Sequence, residues 1–417
     1  PSFSEIVDEV MDSRYREFFK ANENDVFVYL NLFEKEILDP KFNYIYRIKY
    51  LAEKGDVQAM LYYAMLLDEG KEFPLDKKEA FKYYKKAADL DDPTACYNIA
   101  RKLNIGDGIE VNFEEGFKYL KKGVELGDLK SIIKYAESLE NGIGCEINYT
   151  ESARYYKILA DLNIPIGVDR YGIMLFEGKG VEQNKEESVK YFRKGIELGN
   201  INSYYSYGSV LFHGEGIEMN EKLAAEYFKY AADHGQVFAM ERYAFQLYNG
   251  FGIPVDKVEA AKYYKMSADK GVLESIIKIA RMLYVGEGIP QNQKEGIRYL
   301  KMAADKGDVE SMYGYSTFLF DGKEIKKNND EALRYLKMAV DKDNIDAIHD
   351  YALRLFLGKG IQLNKKEAAK YFKLAADKGN VKSIYTYGVI LMNGDGIDVD
   401  YKEAAKYFKM GIDKNDE

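Results

Sequence analysis

Residues 238–273 read FAMERYAFQLYNGFGIPVDKVEAAKYYKMSADKGVL, and the order of residue types in this stretch decides the fold. Ala239, Met240, Tyr243, Ala244 and Leu247 fall at i, i+1, i+4, i+5 and i+8, one face of a helix of about three turns. Gly250-Phe251-Gly252 stops that helix, because glycine takes left-handed backbone cheaply. Asp256 then opens a second helix with Glu259 at its third position, the pattern of a capping box. This second helix carries Ala260, Tyr263, Tyr264 and Ala268 and ends at Gly271.

The stretch recurs. Gly250 has counterparts at Gly70, Gly106, Gly142, Gly178, Gly214, Gly286, Gly322, Gly358 and Gly394, every step being 36 residues. Ten units follow: 58–93, 94–129, 130–165, 166–201, 202–237, 238–273, 274–309, 310–345, 346–381 and 382–417. Tyrosine stands 13 residues after each marker glycine, from Tyr83 to Tyr407, and leucine 3 residues before it, from Leu67 to Leu391. A small residue precedes each leucine by one turn, as at Ala64, Gly172, Gly208, Ser316 and Gly388. The cap of the second helix is Asn or Asp in every unit, and the glutamate is replaced once, by Leu223. The residue just beyond the second helix is Gly, Asn or Asp throughout, all tolerant of positive φ.

Each unit is therefore helix A, a glycine-rich turn, helix B and a short turn. One such pair cannot bury its apolar face, so neighbours must stack. Glycine pairs also occur in dinucleotide loops, but those need a preceding strand and a third glycine. Here a helix precedes every copy, and the turns serve stacking. Glu72 and Glu324 replace the second glycine, so those two loops should deviate most.

Composition narrows the function. The 417 residues carry 60 basic and 69 acidic side chains, a net charge of −9, which argues against nucleic-acid binding. No apolar run reaches the roughly 18 residues of a membrane span, and no charged-then-apolar segment at the start of the sequence reads as a secretory signal. Two cysteines leave no disulfide framework, three histidines leave little material for metal or acid–base chemistry, and no cofactor or metal is expected. A reducing, cytoplasmic setting fits.

With the motifs in place, residues 58–417 resemble the Sel-one-like repeat family, a branch of the tetratricopeptide-like solenoids. The pattern is clear in Ala347, Tyr351, Ala352, Leu355, Gly358, Gly360, Ile361, Asn364, Glu367, Ala368, Tyr371, Phe372, Ala375, Ala376, Asp377 and Gly379. The resemblance implies an all-α, right-handed superhelical α/α solenoid of ten 36-residue helix-turn-helix repeats. It also implies a non-catalytic adaptor that binds a protein or peptide. In a cysteine-rich branch a disulfide joins helices A and B of each repeat. Cys96 matches its helix A position, but Val124 stands where the partner would be, and Cys145 lies in a turn.

By analogy with tetratricopeptide geometry, helix A lines a concave groove. The position 27 residues after each glycine then faces it, and the position four further shares that face. The candidate partner-binding residues are Tyr97, Arg101, Ile133, Ile173, Tyr205, Glu241, Phe245, Ile277, Arg281, Tyr313, His349, Leu353 and Tyr385. Aromatic anchors among a few charges suit peptide recognition.

Other motifs read as structure. Ser131–Lys134 and Ser275–Lys278 have the S-x-x-K spacing of acyl-transfer enzymes, yet the serines occupy a small position of the repeat. His213, His234 and His349 fall at three phases of the repeat. Asn148-Tyr149-Thr150 is a sequon without a secretion signal. The lysines of helix B, such as Lys77, Lys78, Lys82, Lys85 and Lys86, read as a solvated outer face. An acid closes helix B in all ten units, from Asp89 to Asp413, against the helix dipole. A tertiary partner is expected there, an amide or hydroxyl of the next unit.

Residues 1–57 stand outside the repeat. Helices are expected at 4–19 and 23–38, and 41–54 resembles a helix B. The segment 21–57 reads as N-terminal capping helices. Pro1-Ser2-Phe3-Ser4-Glu5-Ile6-Val7 resembles the last helix of a tyrosine-kinase-like protein kinase domain, with 1–20 a remnant of its C-lobe. On that reading the chain is the regulatory or substrate-docking tail of a larger kinase whose catalytic parts lie elsewhere. Helix B at 402–414 keeps Tyr407, Phe408 and Met410, as an interior repeat does, so self-association through this C-terminal helix is the other expectation.

Overall fold

A computed structural model describes residues 40–415; the helices expected at 4–19 and 23–38 and the kinase-like segment at 1–7 lie outside them. The described residues are helices joined by short turns, with no strand. First comes α1 (Pro40–Glu53). Ten helical hairpins follow: α2 (Val57–Glu69) with α3 (Lys77–Asp89), α4 (Pro93–Ile105) with α5 (Phe113–Glu125), α6 (Leu129–Asn141) with α7 (Tyr149–Asp161), α8 (Pro165–Glu177) with α9 (Lys185–Glu197), and α10 (Ile201–His213) with α11 (Glu221–Asp233). The rest are α12 (Val237–Asn249) with α13 (Lys257–Asp269), α14 (Leu273–Val285) with α15 (Gln293–Asp305), α16 (Val309–Asp321) with α17 (Asn329–Asp341), α18 (Ile345–Leu357) with α19 (Lys365–Asp377), and α20 (Val381–Asn393) with α21 (Tyr401–Asn415). Within each of the two units described below, successive hairpins pack on one another, and the fold is an all-α solenoid of repeated helix-turn-helix units. Two compact units divide at Ser188/Val189, and each is treated by itself below.

Local chemistry explains each hairpin. Gly250 ends α12 with φ +79 and its amide bonds the carbonyl of Gln246 at 2.8 Å. The side chain of Asp256 then caps α13 by accepting from the amide of Glu259 at 3.0 Å. The capping box does not close on the backbone, however. The cap's own amide goes to the carbonyl of the invariant leucine, Asp256 to Leu247 at 2.9 Å, and all ten units repeat this bond. One oxygen of the glutamate accepts instead from the cap's side-chain amide, as Glu295 does from Asn292 at 3.3 Å, and the other can serve the seam between repeats. Glu115, Glu295 and Glu331 receive Lys85, Lys265 and Lys301 of the preceding helix B at 3.1, 2.9 and 2.9 Å.

The second glycine of the turn is required by a neighbour. Added Cβ atoms at Gly144, Gly180 and Gly288 would stand 2.0, 2.1 and 2.1 Å from the carbonyl oxygens of Phe113, Tyr149 and Lys257. Each of those residues begins helix B of the preceding repeat, so the turn lies directly on that helix. Neither Glu72 nor Glu324 adopts positive φ, and their loops depart from the common turn as expected. Beyond helix B, Asp91, Asn163 and Asp343 do adopt it, at 66, 57 and 63°, in line with the Gly, Asn or Asp preference there.

The core is alanine, leucine and tyrosine. All ten invariant leucines are buried. The helix B tyrosine stands edge-on to a helix A tyrosine, as in Tyr243–Tyr263 (4.9 Å, 87°) and Tyr351–Tyr371 (4.8 Å, 90°). Its hydroxyl answers the acid problem. Tyr119, Tyr263, Tyr299 and Tyr407 donate to Asp89, Asp233, Asp269 and Asp377 at 3.1, 2.5, 2.5 and 2.6 Å, and Tyr335 donates to Asp305. The acid that opposes its own helix dipole thus accepts from the next repeat. Burial, and then the bond to Asp305, pushes Tyr335 up to about 12.

Asp305→Ala is expected to lower stability by about 1–3 kcal/mol, because the hydroxyl of the buried Tyr335 loses its acceptor. Asp305→Asn, which keeps an acceptor, should lose less. Thermal denaturation decides, and an unchanged melting temperature for Asp305→Ala would remove the ladder from the account. The same rung predicts a pH effect at Asp233. Burial raises its carboxyl, but the bonds from Lys229 and Tyr263 outweigh that and hold it below the usual 3.8. Its contribution is therefore complete above about pH 4 and fades as pH falls through the lowered value. Asp233→Asn should flatten that acid slope.

Candidate partner-binding face

The thirteen candidate residues lie on the A helices, at two positions one helical turn apart. Arg101, Arg281 and Leu353 are exposed, and the other ten are half-buried. Asp169, in the same register, is buried.

In the unit ending at Ser188, the ring of Tyr97 lies 5.7 Å from the ammonium of Lys130. Arg101 pairs with Asp68 at 3.6 Å. Asp68 also accepts from the fully buried Lys102 at 2.5 Å, and Lys102 reaches Asp107 at 2.9 Å. Ile133 is half-buried against the core of Ile132, Ala136 and Tyr156. Ile173 is half-buried in the next repeat.

In the unit beginning at Val189, Tyr205 packs between Phe228 (5.9 Å) and Phe238 (6.2 Å). Phe245 stacks on Phe251 at 5.5 Å and meets Phe212 at 6.3 Å. Burial raises the carboxyl of Glu241, which Arg242 holds at 3.2 Å. Burial likewise pushes Tyr313 up to about 12, with Asp350 adding to it. His349 is lowered by burial and by Lys382, and its Nδ1 lies 2.7 Å from Ser383 Oγ in the next repeat. Tyr385 covers Gly411, where a Cβ would come within 2.8 Å of the ring. Ile277 is half-buried beside exposed Arg281. Half of this face therefore also glues neighbouring helices, and Arg101, Arg281 and Leu353 are its most accessible members.

A third position belongs to the same face and escaped the sequence reading. Two residues before each marker glycine stand Asp68, Asn104, Glu140, Phe176, Phe212, Tyr248, Tyr284, Phe320, Phe356 and Met392. This is seven residues past the first candidate position, so i, i+4 and i+7 form one stripe. Six consecutive aromatics at 36-residue spacing were the available signal. Cations approach several of these rings. Lys278 lies 4.8 Å from Tyr248, Arg354 3.5 Å from Phe320 and Lys365 5.1 Å from Phe356. The stripe offers aromatic surface and scattered charge.

Its chemistry is that of contact. No group of three or more potential metal ligands occurs among the described residues. Lys134 pairs with Glu137 at 2.6 Å, and Ser275 bonds Ser267 at 2.9 Å while Lys278 sits over Tyr248. Neither S-x-x-K pair forms a hydroxyl–amine couple. Cys96 is buried, its thiol pushed up to about 11 by burial, and both cysteines are free. Asn148 of the sequon caps α7 at 3.0 Å. Among the described residues no helix is long and apolar enough to cross a membrane.

Comparison with known proteins agrees with this architecture. Ten segments match the family model for the Sel1 repeat: 57–92, 93–128, 129–164, 169–200, 201–236, 237–272, 273–308, 309–344, 345–380 and 381–416. A search of curated protein sequences found no match. Among solved structures, a protective antigen of uropathogenic Escherichia coli with an SLR fold is 19% identical, with TM-score 0.55 and 89% of each chain covered. A Sel1 repeat protein from Oxalobacter formigenes is 20% identical, with TM-score 0.58, covering 74% of this chain and 90% of that one. At such identities these two show likeness of fold alone. With ten matched segments spanning most of its length, the chain belongs to the Sel1 repeat family.

Proposed function

We infer that this chain is a non-catalytic scaffold that binds a protein or peptide along the groove lined by its A helices. One observation carries the reading. The residues fixed in every repeat are those that close turns, cap helices and fill the core. The helix A stripe instead changes chemistry from copy to copy and, apart from Asp169 and Phe320, keeps some solvent access. Free variation at accessible positions on a repeated frame is what a recognition surface needs. Sel1 repeat proteins generally serve as protein-interaction scaffolds, which agrees. Two free cysteines suit a cytoplasmic setting. Self-association through α21 is an additional reading. Ile412 is 56% exposed, whereas Ala88, Ala160, Ala232, Ala268, Ala304 and Ala376 at the same place are covered.

The test uses the accessible members of the stripe. Affinity capture from native lysate with the wild-type chain is compared with an Arg281→Glu, Leu353→Asp variant. The variant should melt as the wild type does and lose captured partners by about tenfold or more. Equal recovery by both chains would move the binding surface off the A helices.

A further inference from the structure

The seam between the seventh and eighth repeats is set apart by the lysine pair Lys326-Lys327 in its turn. At three seams a lysine that opens helix B reaches an acid just after the next marker glycine: Lys77 and Asp107, Lys257 with Glu287 at 2.6 Å, and Lys365 with Asp395 at 2.8 Å. At the seventh seam those positions hold Gln293 and Lys323. Glu324 also replaces the glycine that elsewhere lets the turn settle on the preceding helix. A cavity of about 590 Å³ lies here, between α15 and the loop that leads into α17.

Its lining is unusual for an acidic chain. Lys294, Arg298, Lys301, Lys326 and Lys327 surround it, with Glu331 the one acid. Its floor is Ile297, Tyr315 and Leu319, with Ile325 beside them. Lys301 is bound by Glu331 at 2.9 Å, and Arg298 lies 3.8 Å from Glu295. Lys294, Lys326 and Lys327 have no acidic partner among the described residues. The repeat itself supplies the comparison. The positions of Lys326-Lys327 hold Pro74-Leu75, Glu110-Val111, Glu146-Ile147, Glu182-Gln183, Glu218-Met219, Pro254-Val255, Pro290-Gln291, Gln362-Leu363 and Asp398-Val399 elsewhere. Nothing in stacking calls for lysine there. The Cβ of Lys327 itself packs on the marker glycine Gly322, as Leu75 does on Gly70 and Val255 on Gly250, so stacking uses its stem and not its ammonium.

We propose that this pocket is a second docking site, separate from the helix A face, for an acidic segment of a protein partner. Carboxylates of the segment lie between Lys326 and Lys327 on one wall and Lys294 and Arg298 on the other. An aliphatic side chain of the segment rests on Ile297, Tyr315 and Leu319. Unpaired lysines give the ligand its sign, and the apolar floor favours a peptide over a simple anion.

The probe is a short fluorescein-labelled peptide of repeating Asp-Glu-Leu, read by anisotropy against its Asn-Gln-Leu counterpart. The wild-type chain should bind the acidic peptide, more weakly as salt rises, and not the neutral one. Lys326→Glu with Lys327→Glu should weaken binding at least about tenfold. These residues are exposed, so the fold should hold, and circular dichroism checks it. Lys78→Glu with Lys82→Glu makes the same charge change on α3 and should leave binding within about twofold. Unchanged binding by the first variant, or equal loss from both, would overturn the proposal.

Discussion

Gly288→Ala is expected to destabilise its seam by about 3 kcal/mol or more, whereas Gly307→Ala should cost about 1–2 kcal/mol. Both glycines hold positive φ, at 69 and 99°, so both substitutions carry backbone strain. They differ in their surroundings. A Cβ at Gly288 would stand 2.1 Å from the carbonyl oxygen of Lys257, while Gly307 has nothing within 4 Å. A backbone carbonyl in a helix cannot step aside, so the turn must lift from α13. Lifting it also pulls Glu287 from Lys257 and Tyr248, which it holds at 2.6 and 2.8 Å. Hydrogen exchange should show the loss concentrated in α13 and α14, since repeat arrays open locally. Equal effects at the two positions would mean that close approach is not what selects the second glycine.

Lys102→Met should be comparably severe, at about 3–5 kcal/mol. Lys102 is 0% exposed and lies between Asp68 and Asp107. Methionine fits the space, since Met174 and Met282 fill the same position in other repeats. The loss would thus report charge rather than packing. Without the ammonium, two largely covered carboxylates remain, shared only with Arg101 and Lys77. Adding Asp68→Leu and Asp107→Asn should restore most of the stability, because removing a whole buried network is far milder than removing one member. Chemical denaturation of the single and triple variants checks this. A single variant as stable as the wild type would show that the network contributes nothing net.

The extent to which this structure could be read in advance follows from distance along the chain. The marker glycines, the Asn or Asp caps and the positive-φ residues after helix B are local, and each stood where the 36-residue pattern put it. The ten acids at the end of helix B broke a local rule, which pointed to a hydroxyl or amide of the next repeat. The tyrosine 30 residues on supplies it at Asp89, Asp233, Asp269, Asp305 and Asp377. Less legible were contacts whose register needs the stacked structure. The N3 glutamate looked like half of a capping box, yet at Glu115, Glu295 and Glu331 a lysine of the preceding repeat reaches it. Nothing local marks Lys102, whose partners Asp68 and Asp107 come from the preceding repeat and from the turn of its own. The stripe from Phe212 to Phe356 was visible as spacing, but two positions do not define the width of a helical face.

The central claim is that fixed residues hold the stack while the helix A stripe meets the partner. A photo-crosslinking side chain placed at Arg281 or Leu353, and in parallel at Lys366 on the exposed side of α19, tests it most directly. The account predicts covalent adducts with the captured partner from 281 and 353 and none from 366. Adducts from 366 alone would contradict it and place the recognition surface on the B helices.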